Sequence, residues 1–202
     1  MIQLTNAVDR YNKLILSEFK EATINCWLAG GAIRDYFMGV PVHTDYDIFF
    51  PNETEYQKCS VYLKAKGCEV KWESDNGMKV MYNGKKYDLV KKFFPTPQET
   101  INAFDFTVSM FAVDSEHVYF GESSFIDLAK KQLMLNKIPF PASTMSRAFR
   151  YYKKGFTMCG GEMKKLVEAI QNMPKVEEAP QEETEEILSG DGMFGTFFLG
   201  FD

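Results

Sequence analysis

The sequence predicts an α+β fold: a mixed or antiparallel sheet of about five or more strands, flanked by helices. Three observations carry that expectation. Residues 3–20 place Leu4, Val8, Tyr11, Leu14, Ile15 and Phe19 at helical spacing, one face apolar. Two short apolar runs, Ile24–Leu28 and Ile48–Phe50, flank a glycine turn and read as strands. Between Cys68 and Val90 the turn signals Asp75-Asn76-Gly77 and Asn83-Gly84 divide the chain into three further strands.

In chain order, the first helix leads into the strand at Ile24–Leu28. Gly30 and Gly31 follow, a place where the backbone can turn sharply and approach a ligand closely. A short helix then carries Arg34 and Asp35 in its first turns, and Gly39, Pro41 and Thr44 form a loop. Asp45-Tyr46-Asp47 opens the second strand. Residues 53–66 read as a helix opened by Asn52 or Thr54 and closed by Gly67. The three strands of residues 68–90 read as an antiparallel extension of the sheet, with Asp88 on the last of them. By itself Asp88 fits a solvent-facing position on an edge strand. After the breaker Pro95-Thr96-Pro97, a short helix spans residues 98–103, and Asp105 to Asp114 reads as an amphipathic strand with Asp105 as a cap. Residues 143–155 form a helix with Met145, Phe149 and Tyr152 on one side and the basic Arg147, Arg150, Lys153 and Lys154. Residues 162–172 form the last helix.

A chain of 202 residues fits one domain of ordinary size, and an apolar share of 45% is normal for a globular protein. There is no apolar run of the roughly 18 residues that a membrane span needs, and the N-terminus lacks a signal-peptide core, so a cytoplasmic protein is expected. Cys26, Cys59, Cys68 and Cys159 show no C-x-x-C pairing and read as buried free thiols; with only His43 and His117 beside them, a zinc site is not expected. The net charge of -5 is unevenly spread. Residues 175–202 hold one lysine and eight acidic residues, and the remainder has 22 basic against 20 acidic residues, a net of +2. The body therefore lacks the strongly basic footprint of a tight nucleic-acid binder.

Residues 26–50 carry the chemistry. On a strand Asp45 and Asp47 face the same way, roughly 6–7 Å apart along the backbone. Carboxylates that close repel each other unless a cation lies between them, and oxygen donors suit Mg²⁺ or Mn²⁺ bridging to substrate phosphates. Backbone N–H groups at a glycine turn and helix start favour bound phosphate. A phosphate cradle followed by a carboxylate pair is the equipment of metal-dependent nucleotidyl transfer.

The same stretch resembles the head domain of class II CCA-adding enzymes and bacterial poly(A) polymerases, of the polymerase-β-like nucleotidyltransferase superfamily. The resemblance runs over roughly residues 24–156 and rests on Gly30-Gly31-Ala32-Ile33-Arg34-Asp35 followed by Asp45-Tyr46-Asp47. It implies a polymerase-β-like head over residues 1–156; periodicity and composition add a following helix over 157–173 and an acidic tether with an aromatic end segment over 174–202. It implies that Asp45 and Asp47 bind the metal, that Asp88 is a third catalytic carboxylate, and that Gly30, Gly31 and Arg34 hold the NTP phosphates. Asp105 and Thr107 match a nucleotide-contacting segment, and Arg147 and Arg150 match the helix leading from head to neck.

The departures bear on substrate. Where that segment has two arginines, this chain has Ala103 and Phe104, and Ser109 replaces an asparagine. The positions of the amino-acid template that pairs with CTP and ATP hold Phe140, Pro141 and Thr144, none of which imitates a base edge. The expectation is a head-only nucleotidyltransferase using Mg²⁺ (or Mn²⁺) and an NTP, with an RNA 3′ end as the implied acceptor and a protein or small-molecule hydroxyl as alternatives. The rival expectation is a non-catalytic nucleotide-binding or structural module. Residues 175–186 read as disordered, and the aromatic segment 190–202 reads either as a strand docking on its own domain or as a peptide for a protein partner.

Overall fold

The computed structural model describes residues 2–42 and 45–174; His43, Thr44, and the tether and aromatic segment expected beyond Pro174 lie outside the described residues. Helix α1 (Ile2–Tyr11), a π turn (Asn12–Leu16) and α2 (Ser17–Glu21) follow without a break, the joining residues Tyr11, Leu16 and Ser17 all being right-handed helical. The π turn shifts the register of the rod and lets Ile15 and Leu16 both be buried, with Ala7, Tyr11 and Phe19 on the same side.

Among the described residues seven strands form one sheet: β1 (Trp27–Ala29), β2 (Tyr46–Phe49), β3 (Glu69–Ser74), β4 (Gly77–Tyr82), β5 (Lys85–Val90), β6 (Phe111–Val113) and β7 (Val118–Phe120). Their order is β3-β4-β5-β2-β1-β6-β7. Every pairing is antiparallel except β2 with β5, which is parallel. The reading of residues 68–90 as a purely antiparallel extension is corrected at this junction. The chain leaves β2 through helix α4 (Glu53–Ala65), a crossover that returns it parallel, and the meander then brings its third strand, not its first, back against β2. Asp88 consequently sits on an interior strand rather than an edge.

The helix caps follow the chemistry of their residues. Asn52 accepts a hydrogen bond from the Glu55 N–H, and Thr96 accepts one from the Glu99 N–H at the start of α5 (Pro97–Asn102). The segment from Asp105 is not one strand. Phe106 makes an isolated bridge to Leu135, Thr107–Ser109 form a single 3-10 turn, and only Phe111–Val113 is strand.

Alternation along the strands divides the core. One sheet face sends Leu28, Ile48, Phe50, Val80, Tyr87 and Leu89 against helices α1, α2, α4 and α3 (Gly31–Phe37). The other face carries a smaller cluster, Trp27, Ala29, Phe49 and Ala112 beneath Ile101 and Phe104, where the Trp27 Nε1–H donates to Thr100 Oγ1 at 3.0 Å. That second face also bears Asp47 and Asp88. Helices α6 (Ser124–Lys130), α7 (Pro141–Lys153) and α8 (Gly160–Gln171) follow in the described residues, and an apolar hollow of about 430 Å³ lined by Met145, Phe149, Tyr152, Phe156 and Met163 lies where α7 and α8 meet. All four cysteines are free; Cys26 and Cys59 are buried as expected, whereas Cys159, at the N-terminal end of α8, is exposed. No helix among the described residues is long and apolar enough to cross a membrane.

Candidate active site

Strand register assembles a row of charges on the second sheet face. Asp47 is directly opposite Asp88 across the parallel β2/β5 pair, and Asp88 is directly opposite Lys79 across the antiparallel β4/β5 pair. Asp45 lies two residues before Asp47, on the approach to β2. The Lys79 Nζ stands 3.3 Å from Asp88 Oδ2 and 3.4 Å from Asp45 Oδ2. Asp47 and Asp88 are buried, while Asp45 and Lys79 are about a third exposed, with side-chain exposures of 31% and 33%.

The electrostatics show how unevenly this row is balanced. Burial raises the Asp88 pKa by more than the attraction and hydrogen bond of Lys79 lower it, and Asp45 adds to the rise. At Lys79 burial favours the neutral form, but Asp88 and Asp45 together outweigh it and the pKa rises. Both shifts reflect one arrangement, a partly buried ammonium drawn to Asp88 and Asp45.

The donor set is one of hard oxygens, suited to Mg²⁺ or Mn²⁺. Among the described residues no group of three or more ligating side chains is drawn together tightly enough to hold an ion as it stands. The Lys79 ammonium nevertheless occupies a point within reach of two carboxylates at once, so a divalent ion taking that point would be within reach of both. Its oxygens would have to close from the observed 3.3 and 3.4 Å to about 2.1 Å.

The glycine turn lies at the same end of the sheet. The β1/β2 register pairs Leu28 with Ile48 and, continued by one step, sets Ala29 opposite Asp47. Gly30 follows with φ +88°, a conformation that costs any residue with a side chain. Its N–H donates to Phe111 O at 2.8 Å, and its carbonyl accepts from the Ile33 and Arg34 N–H groups. The first amides of α3 have no acceptor within the helix, as at any helix start.

The arginines expected at the nucleotide are placed differently. Arg34 is 1% exposed. Its Nε donates to Asp35 Oδ1 at 2.8 Å, its Nη1 donates to the Tyr151 hydroxyl at 2.7 Å, and its guanidinium lies over the Tyr151 ring. Nη2 is 2.7 Å from Asp35 Oδ1, close enough for an ion pair but outside hydrogen-bonding geometry. Tyr151 in turn hydrogen-bonds Ser109. Arg34 therefore ties the glycine turn to α7, and Asp35 orients it. Arg147 is buried as well, its Nε donating to Asp105 Oδ2 at 2.6 Å. Burial pushes the Asp105 pKa up while Arg147 pulls against it. Thr107 Oγ1 donates to Asp127 Oδ2 at 2.8 Å. Arg34, Asp105, Thr107 and Arg147 are thus each engaged by neighbouring side chains, while Arg34 Nη2 and Arg147 Nη1 stay buried without a hydrogen-bond partner among the described residues. The placement of α7 turns Arg147 and Tyr151 inward and leaves Arg150 and Lys153 on the exposed side.

Lys79 is the member of the site that sequence reasoning passed over, because a lone lysine in a hairpin reads as solvated. A signal existed: the Asn83-Gly84 turn pairs Tyr82 with Lys85, and counting outward sets Lys79 opposite Asp88.

The profile of the Gabija anti-defense 2 family matches residues 3–131, well over half of the chain. The chain belongs to that family. No curated protein matches the sequence. Among solved structures, this member of the Gabija anti-defense 2 family is similar to the CCA-adding enzyme of Thermotoga maritima complexed with tRNA, at 13% identity and a TM-score of 0.65, over 83% of this chain and 45% of that one. It is similar to a CCA-adding enzyme with CTP, at 16% identity and a TM-score of 0.58, over 76% of this chain and 40% of that one. A tRNA nucleotidyltransferase complexed with a primer tRNA and an incoming ATP analog matches at 18% identity and a TM-score of 0.57, over 77% and 49%. The chain therefore has the α+β fold of the CCA-adding enzyme head, and it spans less than half the length of each of these structures.

Proposed function

We propose that this Gabija anti-defense 2 family member is a nucleotidyltransferase that moves a nucleoside monophosphate from an NTP to an acceptor hydroxyl and releases pyrophosphate. The observation that carries the reading is the in-register Asp47/Asp88 pair with Asp45 beside it, on one face of a CCA-adding-type sheet. A structural sheet gains nothing from adjacent buried carboxylates, since like charges directly opposite destabilise it. Asp45, Asp47 and Asp88 would hold Mg²⁺ or Mn²⁺, which when bound activates the attacking hydroxyl and neutralises the triphosphate. Asp88, buried directly opposite Asp47, would complete that donor set. The Gly30-Gly31 turn lets the triphosphate approach the backbone. Arg34 and Tyr151 keep that turn rigid from behind. Base selection falls to shape and stacking, because Thr144 is fully buried and Phe140, 55% exposed, offers an aromatic surface.

The acceptor we propose to examine first is an RNA 3′ hydroxyl, because the similar structures include tRNA complexes. The family's description names an anti-defence role, and covalent nucleotidylation of an RNA or a protein is a chemistry able to disable its target. The test is to incubate the full chain with labelled ATP or CTP, Mg²⁺ or Mn²⁺, and total RNA or lysate protein, alongside Asp45→Asn and Asp47→Asn. Label should enter an acceptor with wild type alone. Equal labelling by wild type and both variants, or none with any acceptor, rejects the reading. A second reading, a non-catalytic binding module, draws support from the internal use of Arg34 and Arg147 and from the apolar hollow where α7 and α8 meet; NTP binding without transfer to any acceptor would favour it.

A further inference from the structure

We propose that Lys79 is a resident cation of the carboxylate row, holding Asp45 and Asp88 while no divalent ion is bound and yielding its place when one enters. This rests on the metal reading above. Three features of the geometry point to it. The ammonium is nearly equidistant from two carboxylates, at 3.3 and 3.4 Å, and closes onto neither. Lys79 is placed as a bridging ion is placed, between donors rather than on one. Second, Asp45 lies two strands away from Lys79, across β5. An ordinary cross-strand ion pair would end at Asp88, the residue directly opposite. Third, the lysine side chain is a third exposed. Its flexible four-carbon stem gives the ammonium a path outward without disturbing the sheet.

Exchange follows from charge. The lysine offers a single positive charge to Asp45 and Asp88. A divalent ion supplies twice the charge and draws oxygens to about 2.1 Å, closer than an ammonium does. The two cations cannot share one point, so metal entry requires the lysine to leave.

The experiment is Mn²⁺ binding by calorimetry on the full chain, comparing wild type, Lys79→Met and Lys79→Arg, with thermal melting in EDTA and in Mn²⁺. Methionine keeps the apolar stem and removes the competing charge. Lys79→Met should bind Mn²⁺ about tenfold or more tightly than wild type, melt lower in EDTA, and recover in Mn²⁺ by a larger shift than wild type shows. Lys79→Arg, a cation that can grip both carboxylates, should bind Mn²⁺ no better than wild type. Unchanged or weaker Mn²⁺ affinity in Lys79→Met overturns the inference while leaving the metal reading standing. Absence of Mn²⁺ binding in all three proteins overturns both. Tighter binding in Lys79→Met with no transfer in any protein supports the resident cation and rejects the transferase reading. Should Lys79→Met fold only with Mn²⁺ present, that supports the inference; should it fold under neither condition, tighter Mn²⁺ binding by Lys79→Arg than by wild type overturns it and equal or weaker binding supports it.

Discussion

Replacing Arg147 by methionine separates a scaffold arginine from one that binds substrate. Arg147 and Asp105 are both nearly inaccessible, with side-chain exposures of 4% each, and meet at 2.6 Å. Methionine fills most of the arginine's volume, so the main effect is a carboxylate left in the interior without its partner. Breaking a buried pair from one side costs about 3–5 kcal/mol. For a chain of this length each kcal/mol lowers Tm by roughly 2–4 °C, so a fall of about 6–20 °C is expected. The pH dependence has a definite sign. With Arg147 gone, burial is opposed only by the weaker hydrogen bonds that remain at Asp105, and its folded-state pKa rises further above the unfolded value of about 3.9. A raised folded pKa confers stability that is present at acid pH and lost as pH rises through it. The variant should therefore lie closest to wild type near pH 4–5 and fall away toward neutrality. Urea melts across that range, with NTP affinity measured on the folded fraction, check the reasoning. Restoring an apolar pair with Arg147→Met and Asp105→Leu together should recover most of the loss. Unchanged stability accompanied by lost NTP affinity would refute the scaffold role and return Arg147 to the nucleotide.

Glycine substitutions should differ by position. An added Cβ at Gly77 would come within 2.4 Å of the Leu89 carbonyl, whereas at Gly84 nothing lies within 4 Å. Gly84→Ala should cost only the roughly 1–2 kcal/mol of its left-handed backbone, and Gly77→Ala clearly more; equal urea midpoints would contradict this. Discrimination among the four NTPs, read as kcat/KM ratios, should stay within about 10–200-fold, and a preference of about 10⁴-fold would reveal base-edge hydrogen bonds at a place not identified. Alkaline stability should fall from pH 10 upward. Tyr62 is pushed up to about 12 by burial and by its hydrogen bond to Glu18, Tyr82 is raised by the same carboxylate, and burial with Asp114 takes Tyr119 to about 12. Raised phenol pKa values give stability that is present below about pH 10 and lost as pH climbs through 12; a flat profile from pH 9 to 12 would exclude the effect.

Local chemistry was the legible part of this chain. Asn-Gly and Asp-Asn-Gly turns, the Asn52 cap, and the Asp-x-Asp strand start all act within a few residues, and each stands where its residues direct. What escaped depends on contacts far apart in the chain. The parallel seam between β2 and β5 follows from a crossover helix followed by a three-strand meander, and no short window contains it. The basic helix α7 was legible as a helix, but which of its arginines turns inward is decided by Asp105, far away in the sequence. Tyr151 and Lys79 were invisible for the same reason: each matters only through partners on other elements. Asp88 is the intermediate case, an acidic residue among apolar ones whose meaning changed once its strand proved to be interior.

The meander that carries Lys79 and Asp88 has a consequence for the order of folding. Strands β3, β4 and β5 are joined by two tight turns, and such hairpins close in about 1–10 μs. Pairing β5 with β2 needs a longer loop to close and comes later. Lys79 is thus already beside Asp88 when Asp45 and Asp47 arrive, so the negative row is assembled onto a cation that is waiting for it. Exchanging the hairpin's lysine for a neutral residue would place the like-charge repulsion in the late docking step. The refolding rate of this protein, and not only its ion affinity, would then come to depend on the divalent cation in the buffer.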